Sequence, residues 1–413
     1  MPRTLRSLLS LPLLAGGLAA GLAGHAACGG DRPVLVGAVL PLSGEFAIYG
    51  EPIRKGIELA YEEIQAQEDF PFPLELRVED SQGDPERAAG LLSELFDAGA
   101  PAVIGGVTTE EALAMVDVAD RRDRVLLSPS ASSPLLSGIS SNFYRVFPSD
   151  FLEGTKMGHF AVETLDLREV VIVAAESQYA KGIQQVFRDE VRRVGGEVVE
   201  VIEYPRNTAD LGGVIDRVMT VSPDGVYLAY YADGLVTLIR GLEDRGYGGQ
   251  VLTTSSIAAP EVLERMGDTL EGVKFTQSNY DVTSEEPHIQ HFVEAYQALY
   301  DRTPDLYAAH GYDAMRVFAR ALTGGGGRRP GEVWQGMKGL TNFPGVTGTI
   351  QFDEQGDVQK FPRVYVVRNG EFVDFDRVLE ERRRSLEQRR RELERRMRDL
   401  ERQRRGLREG GGA

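Results

Sequence analysis

A strand, a short loop and an amphipathic helix follow one another in residues 34–64, and this unit most constrains how the chain can fold. Val34–Leu40 is almost entirely apolar, which is typical of a strand in a parallel sheet with both faces covered. After the loop, apolar residues recur at helical spacing, at Ile53, Ile57, Ala60 and Ile64. The loop itself, residues 41–50, follows the carboxyl end of the strand, where open α/β sheets bind ligands. The sequence therefore predicts an α/β fold with a candidate binding edge at this loop.

Strand and helix patterns continue to alternate in two series. The first series has strand patterns at 74–80, 102–106 and 125–128, and residues 108–111 fit a capping box that starts a helix. The pattern breaks at 144–150, and a second series runs from 170 to 253. Two similar series predict two α/β lobes, because a chain of 413 residues is too long for one ordinary core.

Charge divides the chain into an acidic body and a basic end. The formal net charge is −17, and 42% of the residues are hydrophobic, which is enough to fill a core. Residues 377–409 hold 14 arginines and 8 acidic residues, which leaves 32 basic and 55 acidic residues in the rest of the chain. A body of this charge argues against nucleic acid as a partner.

The N-terminus has the composition of an export signal. Residues 1–27 begin with two arginines, continue with an apolar segment and end in small residues before Cys28, the only cysteine. The segment 24–28 resembles a bacterial lipobox, which implies a lipoprotein signal peptide, lipidation of Cys28 and a membrane-anchored periplasmic protein. Ordinary cleavage near Ala26 or Ala27 is the alternative. No other stretch approaches the roughly 20 apolar residues of a membrane span.

The basic end carries leucines at a strict seven-residue interval, at Leu379, Leu386, Leu393, Leu400 and Leu407. They form half of a coiled-coil seam, but the companion core positions are mostly arginine, at Arg383, Arg390, Met397 and Arg404. The pattern predicts a charged helix at 377–409 and leaves its role open. It suits a single solvated helix, a helix for self- or partner association, or a helix attracted to anionic lipid.

Eight motifs occur in a characteristic order between Val34 and Phe375. They are GAVLPLSGEFAIYGEPIRKGIELA, VEDSQGDPERA, AVIGGVTTEEALA, LLSPSASSPLL, YRVFPSD, ESQYAKG, PDGVYLAYY and GVTGTIQFDEQGD. In this order they resemble the type I periplasmic solute-binding proteins, in particular the leucine/isoleucine/valine-binding family of ABC importers.

The resemblance implies two doubly wound parallel-sheet lobes that close over a solute by hinge motion. Three hinge crossings would join them, near 147–150, 276–281 and 345–350. Lobe 1 would then comprise 34–148 and 280–347, lobe 2 would comprise 149–279 and 348–376, and the charged helix would follow.

The resemblance also implies a set of ligand-binding residues. Thr109 falls where a hydroxyl meets the α-carboxylate of the ligand. Ser130, Ala131 and Ser132 fall where backbone groups and a hydroxyl hold the carboxylate and the ammonium. The aromatic residues of the family's cleft match Tyr49, Tyr179 and Tyr231.

One departure from the family bears on the ligand. Ser255 aligns with the acidic residue that pairs with the ammonium of an amino acid, so this position has no carboxylate. A buried ammonium needs a compensating charge, which Asp233 or Asp281 could supply.

The same residues also have explanations that need no ligand. Thr109 opens a helix whose positive end attracts a carboxylate, but threonine is equally a good helix cap. Ser130 and Ser132 suit a turn, and tyrosines often pack with only their hydroxyls in water. Their convergence on one edge of the sheet favours a binding role.

The sequence contains none of the common catalytic motifs: no P-loop, no G-x-S-x-G elbow, no H-E-x-x-H and no cysteine nucleophile. His288 and His291 share a helix face but have no further histidine or cysteine nearby, which favours a surface role over a zinc site. We therefore expect a protein that is not an enzyme and uses no metal or cofactor.

The leading hypothesis is an exported solute-binding component of an ABC importer. Its partners would be the importer's permease and a small polar solute, such as a branched-chain or related amino acid. The alternative is a non-transport envelope lipoprotein of the same fold, similar to the penicillin-binding-protein activators, that senses or binds a partner. The charged tail and the serine at position 255 favour the alternative.

Overall fold

The first part of the chain follows the predicted alternation of strands and helices. The structure, a computed structural model, describes the backbone of residues 32–278 and 280–409, with side chains up to residue 402. The elements are β1 (Val34–Leu40), α1 (Ala47–Gln65), β2 (Leu74–Asp80), α2 (Pro85–Asp97), β3 (Ala102–Gly105), α3 (Thr109–Arg122), β4 (Val125–Ser128) and β5 (Phe143–Arg145). The predicted signal peptide and Cys28 lie outside the described residues, so the lipid anchor stays a prediction.

The strands of this first lobe form a five-stranded parallel sheet in the order β2-β1-β3-β4-β5. Six of the seven residues of β1 are buried, as expected for an apolar strand inside a covered sheet. Because all five strands run in one direction, the loops that follow β1, β3 and β4 meet at one edge.

The second lobe repeats this plan and adds two antiparallel strands. Its first elements are α4 (Asp150–His159), β6 (Glu169–Ala175), α5 (Gln178–Arg193), β7 (Glu197–Tyr204), α6 (Gly212–Val221), β8 (Gly225–Ala229), α7 (Ala232–Asp244), β9 (Gln250–Thr253), α8 (Pro260–Met266) and β10 (Lys274–Gln277). The chain then returns to the first lobe with α9 (Pro287–Tyr300), α10 (Leu306–Gly324) and α11 (Pro330–Lys338). It passes through the hairpin of β11 (Phe343–Gly345) and β12 (Gly348–Ile350) and re-enters the second lobe with β13 (Arg363–Arg368) and β14 (Glu371–Asp374), which α12 (Phe375–Glu409) follows.

The seven-stranded sheet of the second lobe has the order β14-β13-β10-β9-β8-β6-β7. β13 pairs antiparallel with both of its neighbours, β10 and β14, and the other pairings in this sheet are parallel. The chain passes from one sheet to the other after β5, after β10 and around the β11–β12 hairpin, and α10 returns to pack on α1, β3 and β4. The predicted fold class is confirmed, while the residue limits of the lobes stay a prediction.

Buried charged groups connect two of these crossings. The guanidinium of Arg145, fully buried at the end of β5, donates two hydrogen bonds to Asp357, from Nε at 2.6 Å and from Nη2 at 2.9 Å. Lys360 Nζ donates to the carbonyl oxygen of Val146 at 2.9 Å and to Thr347 Oγ1 at 2.5 Å. The segment after β5 is therefore bonded to the segments on both sides of β12.

Helices α1 and α10 of the first lobe cross at glycines. A Cβ atom at Gly56 of α1 would stand 2.0 Å from the carbonyl oxygen of Ala308. A Cβ atom at Gly311 of α10 would stand 2.3 Å from the carbonyl oxygen of Ile53. Only glycine permits so close an approach, so the two helix backbones pack directly on each other.

The charged end of the chain forms one 35-residue helix, α12, as predicted. Its described leucines, Leu379, Leu386, Leu393 and Leu400, are between 42% and 62% exposed. Ion pairs at i,i+4 spacing, such as Arg390–Glu394, run along the helix. No helix in the described part of the chain is long and apolar enough to cross a membrane.

Candidate functional site

The loops at the strand ends of both lobes line one cavity. Its walls contain all eight residues predicted as ligand contacts: Tyr49, Thr109, Ser130, Ala131, Ser132, Tyr179, Tyr231 and Ser255. Four further residues complete the lining: Val107, Phe147, Ser256 and Tyr307. The free volume is about 20 Å³, the space of one water molecule, so a solute can enter only when the two walls separate.

The first wall is the N-terminus of α3. Thr108 caps this helix, because its Oγ1 accepts from the backbone N–H of Glu111 while the Glu111 carboxylate accepts from the N–H of Thr108. The capping box was predicted at this position, but the suggestion that Thr109 itself caps the helix is wrong. Thr109 is the first helical residue, and its buried Oγ1 has no hydrogen-bond partner among the described residues. A helix N-terminus with an unused hydroxyl is suited to bind an anion.

The second wall is the serine-rich loop after β4. Ser128 holds the turn, since its Oγ donates to the carbonyl oxygen of Gly106 at 2.8 Å and accepts from the N–H of Ala131 at 2.9 Å. Ser130 Oγ donates to the carbonyl oxygen of Val107 at 2.8 Å. Ser132 Oγ donates to Asp150 Oδ2 at 2.9 Å. Ser130 and Ser132 therefore link this loop to the loop after β3 and to α4, which simple turn residues would not do.

Tyrosines from both lobes fill most of the space between these walls. Tyr231, after β8, stacks on Tyr179 of α5 with ring centroids 4.7 Å apart. The hydroxyl of Tyr231 accepts from the N–H of Thr109 at 3.3 Å and donates to Glu110 Oε2 at 3.2 Å. In this conformation, Tyr231 of the second lobe thus occupies the N–H group of Thr109, which the N-terminus of α3 could otherwise offer to a ligand.

Two tyrosines of the first lobe bond to the second lobe in return. Tyr49 Oη donates to the carbonyl oxygen of Ser256 at 3.0 Å and accepts from the N–H of Ala232 at 2.8 Å. Tyr307 Oη donates to the carbonyl oxygen of Ser255 at 3.1 Å. These bonds hold the lobes together, so tyrosines predicted as ligand contacts, such as Tyr49, also form contacts between the lobes.

Two buried carboxylates lie directly behind the cavity wall, and both were missing from the predicted site. Asp150 and Glu153 occupy the first turn of α4, and both side chains are fully buried. Burial raises the pKa of the Asp150 carboxyl to about 7. Burial, and after it the charge of Asp150, raises the pKa of the Glu153 carboxyl well above its usual value. The sequence signal for this pair is its position at the end of the YRVFPSD motif and just after it. That motif predicts a hinge crossing but does not predict a carboxylate site.

The carboxylates proposed as substitutes at Ser255 are not at the cavity. Asp233 is exposed and forms an ion pair with Arg265 at 2.9 Å. Asp281 is exposed and accepts from the N–H and the hydroxyl of Thr283 at 2.9 and 2.7 Å. Ser255 instead donates from its Oγ to Glu153 Oε2 at 3.2 Å. The suggestion of Asp233 or Asp281 is therefore wrong, and a different carboxylate stands beside Ser255.

The two histidines of α9 lie away from the cavity. His288 Nε2 is 3.3 Å from the carbonyl oxygen of Gly345, and His291 Nε2 is 2.9 Å from Glu63 Oε1. Within the ranges that the structure describes, no group of three or more histidine, cysteine, aspartate and glutamate residues could hold a metal ion.

A cavity shared by two hinged α/β lobes, and open only when they part, is the arrangement of a two-lobed solute-binding protein. Residues 33–370 match the model of the periplasmic binding protein family, and the chain belongs to that family. The proteins of this family are extracytoplasmic substrate-binding components of transporters, and they are not enzymes.

Individual relatives differ in the solutes that their names give. A leucine-, isoleucine-, valine-, threonine- and alanine-binding protein of Pseudomonas aeruginosa is 23% identical over 323 residues, which are 78% of this chain and 86% of that protein. The leucine-binding protein LivK of Thermotoga maritima has a TM-score of 0.78 and 26% identity, over 83% of this chain and 97% of that one. A solute-binding protein of an ABC transporter from R. palustris, in complex with benzoate, has a TM-score of 0.76 and 22% identity, over 83% and 95% of the two chains. At 22% identity the last similarity shows the fold alone.

Proposed function

We propose that this protein is the solute-binding component of an ABC importer and that its solute is a branched-chain or related amino acid. The observation that carries the proposal is the shared cavity, in which a helix N-terminus with an unused threonine hydroxyl faces tyrosines of the opposite lobe. The Pseudomonas and Thermotoga relatives, whose names give leucine among their ligands, support the choice of solute.

Binding would proceed by exchange of partners at the N-terminus of α3. When the lobes part, Tyr231 leaves the N–H of Thr109, which then faces solvent. The α-carboxylate of the solute replaces the tyrosine as acceptor and also receives a hydrogen bond from Thr109 Oγ1. Closure then brings Tyr179 and Tyr231 over the solute. Charged acceptors at a helix N-terminus gain from the helix dipole, which favours the solute over the tyrosine.

Thr109→Val tests this proposal, because valine keeps the shape of threonine and removes only the hydroxyl. We first expect one member of a panel of amino acids, amides, short peptides and carboxylates to raise the melting temperature. A ligand at about 100 times its dissociation constant adds about 2.7 kcal/mol. In Thr109→Val, the affinity for that ligand should fall about 10- to 100-fold, the loss of a hydrogen bond to a charged group. The stability of the unliganded protein should stay the same or rise, since the hydroxyl has no partner there.

Thr253→Val is the matched control. Thr253 is equally buried, but its Oγ1 donates to the carbonyl oxygen of Leu228 at 2.9 Å and lies outside the cavity lining. This variant should lose stability and keep its affinity, the opposite pattern. A panel without any stabilising compound, or an unchanged affinity in Thr109→Val, would contradict the proposal.

We propose as a second function that α12 associates with another helix, which would suit a partner-binding lipoprotein. Its support is the row of exposed leucines at seven-residue spacing, Leu379, Leu386, Leu393 and Leu400, on a helix whose other described residues are mostly charged. The arginines at the companion positions weaken such a seam and make the association weak.

Leu386→Glu combined with Leu393→Glu tests the role of α12 in self-association. Sedimentation of the wild-type protein should give a mass that rises with concentration toward twice that of the chain, and the double variant should stay monomeric. Ser385→Glu with Gln388→Glu adds the same charge to other faces of the helix and should behave like wild type. If the wild-type protein is monomeric at every concentration, α12 does not self-associate.

A further inference from the structure

The serine hydroxyls of the cavity present acceptors to a ligand. A hydroxyl has one proton to donate and two lone pairs to accept with. Ser130, Ser132 and Ser255 donate their protons to acceptors of the protein, which are the Val107 carbonyl, Asp150 and Glu153. The serine oxygens can therefore offer a ligand only their lone pairs, which repel a carboxylate and attract an N–H donor. Donors for an anion are found on the other wall, at the N-terminus of α3.

The two carboxylates behind these serines have spare bonding capacity. Glu153 Oε2 accepts from Ser255 Oγ at 3.2 Å and from Thr276 Oγ1 at 3.4 Å, but Oε1 has no partner in the described part of the chain. Asp150 Oδ2 accepts from Ser132, and its Oδ1 has no partner either. Buried carboxylate oxygens without partners are costly, so these atoms are available for a donor that arrives with the ligand.

Among the described residues, no cation forms a hydrogen bond or an ion pair with these two carboxylates. Arg145 lies near Asp150 and counteracts the rise of its pKa, but the guanidinium bonds to Asp357 and to the carbonyl oxygens of Ala131 and Ser133. Over residues 32–278 and 280–402, no lysine, arginine or histidine side chain is hydrogen-bonded to Asp150 or Glu153. The pair is therefore without a bonded cation in the described part of the chain, and a cationic group of a ligand would favour the ionised form of Glu153.

We propose that Glu153, with Asp150 beside it, holds a cationic group of the solute through the Ser255 side of the cavity. The ligand would then carry both an anionic group for the N-terminus of α3 and a cationic group for α4, as a free amino acid does. The inference rests on the proposed function and goes beyond it, because it excludes simple carboxylates such as benzoate and names the residue that does so. Thr109 Oγ1, the unpartnered hydroxyl on the opposite wall, is the independent sign that a charged ligand fills this space.

The experiment compares three compounds that share one carbon skeleton. L-leucine carries both charges, 4-methylpentanoate lacks the ammonium, and 3-methylbutylamine lacks the carboxylate. Calorimetry on the wild-type protein should show that leucine binds at least about 100-fold more tightly than either of the other two compounds. In Glu153→Gln the affinity for leucine should fall about 100-fold, as when one partner of a buried charge pair is removed. The affinity for 4-methylpentanoate should change less than about threefold, since this compound has no ammonium group for Glu153 to bind.

Two controls separate charge recognition from damage to the fold. Glu190→Gln removes a carboxylate of similar burial that bonds to Arg193 outside the cavity, and it should leave all three affinities unchanged. The melting temperature of unliganded Glu153→Gln should equal or exceed that of wild type, because burial raises the pKa of Glu153 and so penalises folding at neutral pH, a cost that glutamine does not carry.

Each other outcome has one meaning. If leucine and 4-methylpentanoate bind the wild-type protein equally well, or if Glu153→Gln weakens both alike, the cationic subsite is wrong while solute binding stands. If none of the three compounds binds and no amino acid of the panel does, the proposed function and this inference both fall.

Discussion

Asp357→Ala should lower the free energy of unfolding by about 3–5 kcal/mol, the usual loss when one partner of a buried ion pair is removed. The reason is the positive charge of the Arg145 guanidinium, which is fully buried. Without Asp357 its Nε would have no acceptor, and Nη2 would keep only the hydroxyl of Ser137 at 2.8 Å. Urea unfolding of the unliganded protein measures the change.

Glu200→Ala provides the comparison for an ion pair on the surface. Glu200 pairs with Arg217 at 2.9 Å, and the arginine side chain is 55% exposed. This substitution should change stability by less than about 1 kcal/mol. If Asp357→Ala is as mild as Glu200→Ala, the buried pair does not hold the crossings together as we describe.

Asp150→Asn should stabilise the unliganded protein, and by more as the pH rises. An acid whose pKa is raised on folding binds its proton more tightly in the folded state, so its ionisation penalises folding. For Asp150 the pKa rises from 3.8 to about 7, and the penalty therefore grows between pH 4 and pH 7. Asparagine does not ionise. The difference in the free energy of unfolding between Asp150→Asn and wild type should therefore grow by about 2–3 kcal/mol from pH 5 to pH 8.

Urea unfolding at several pH values measures this margin, and Glu190→Gln gives a contrast of opposite sign. The bond from Arg193 lowers the pKa of Glu190, so its carboxylate stabilises the fold above its ordinary pKa and the stabilisation is lost only as the pH falls below that range. Glu190→Gln should therefore be less stable than wild type by a constant amount between pH 5 and pH 8. If the difference in stability between Asp150→Asn and wild type is constant over the same range, the pKa of Asp150 is not raised by burial as described.

Local patterns predicted the α/β fold class, and the resemblance to the solute-binding family supplied the eight predicted ligand contacts. Parallel strands are apolar and end in loops, so the apolar runs of β1, β3 and β4 were enough to place the loops that follow them on one edge. The capping box at Thr108 was equally visible, because it depends only on residues three apart. All eight predicted contacts lie in one cavity, and their role in binding stays a prediction.

The residues that were missed depend on distant parts of the chain. Glu153 lies on α4, which packs against α5 and also against β10 and β13, and the sequences of these two strands lie more than a hundred residues away. Tyr307 reaches the cavity from α10, far along the chain from the loops that it meets. Nothing in a local pattern of charge or hydrophobicity distinguishes a glutamate on the surface from one behind a binding site.

The close packing of α1 and α10 at their glycines makes the first-lobe side of the cavity less tolerant of substitution than the second-lobe side. Tyr49 belongs to α1 and Tyr307 to α10, and their rings lie 4.8 Å apart. Because the helix backbones touch at Gly56 and Gly311, the spacing of these tyrosines is set by the main chain rather than by side-chain rotamers. A descendant of this protein could therefore acquire a new solute more readily through the loops after β6, β8 and β9 than through the first lobe. In selection for altered specificity, substitutions should accumulate in those three loops.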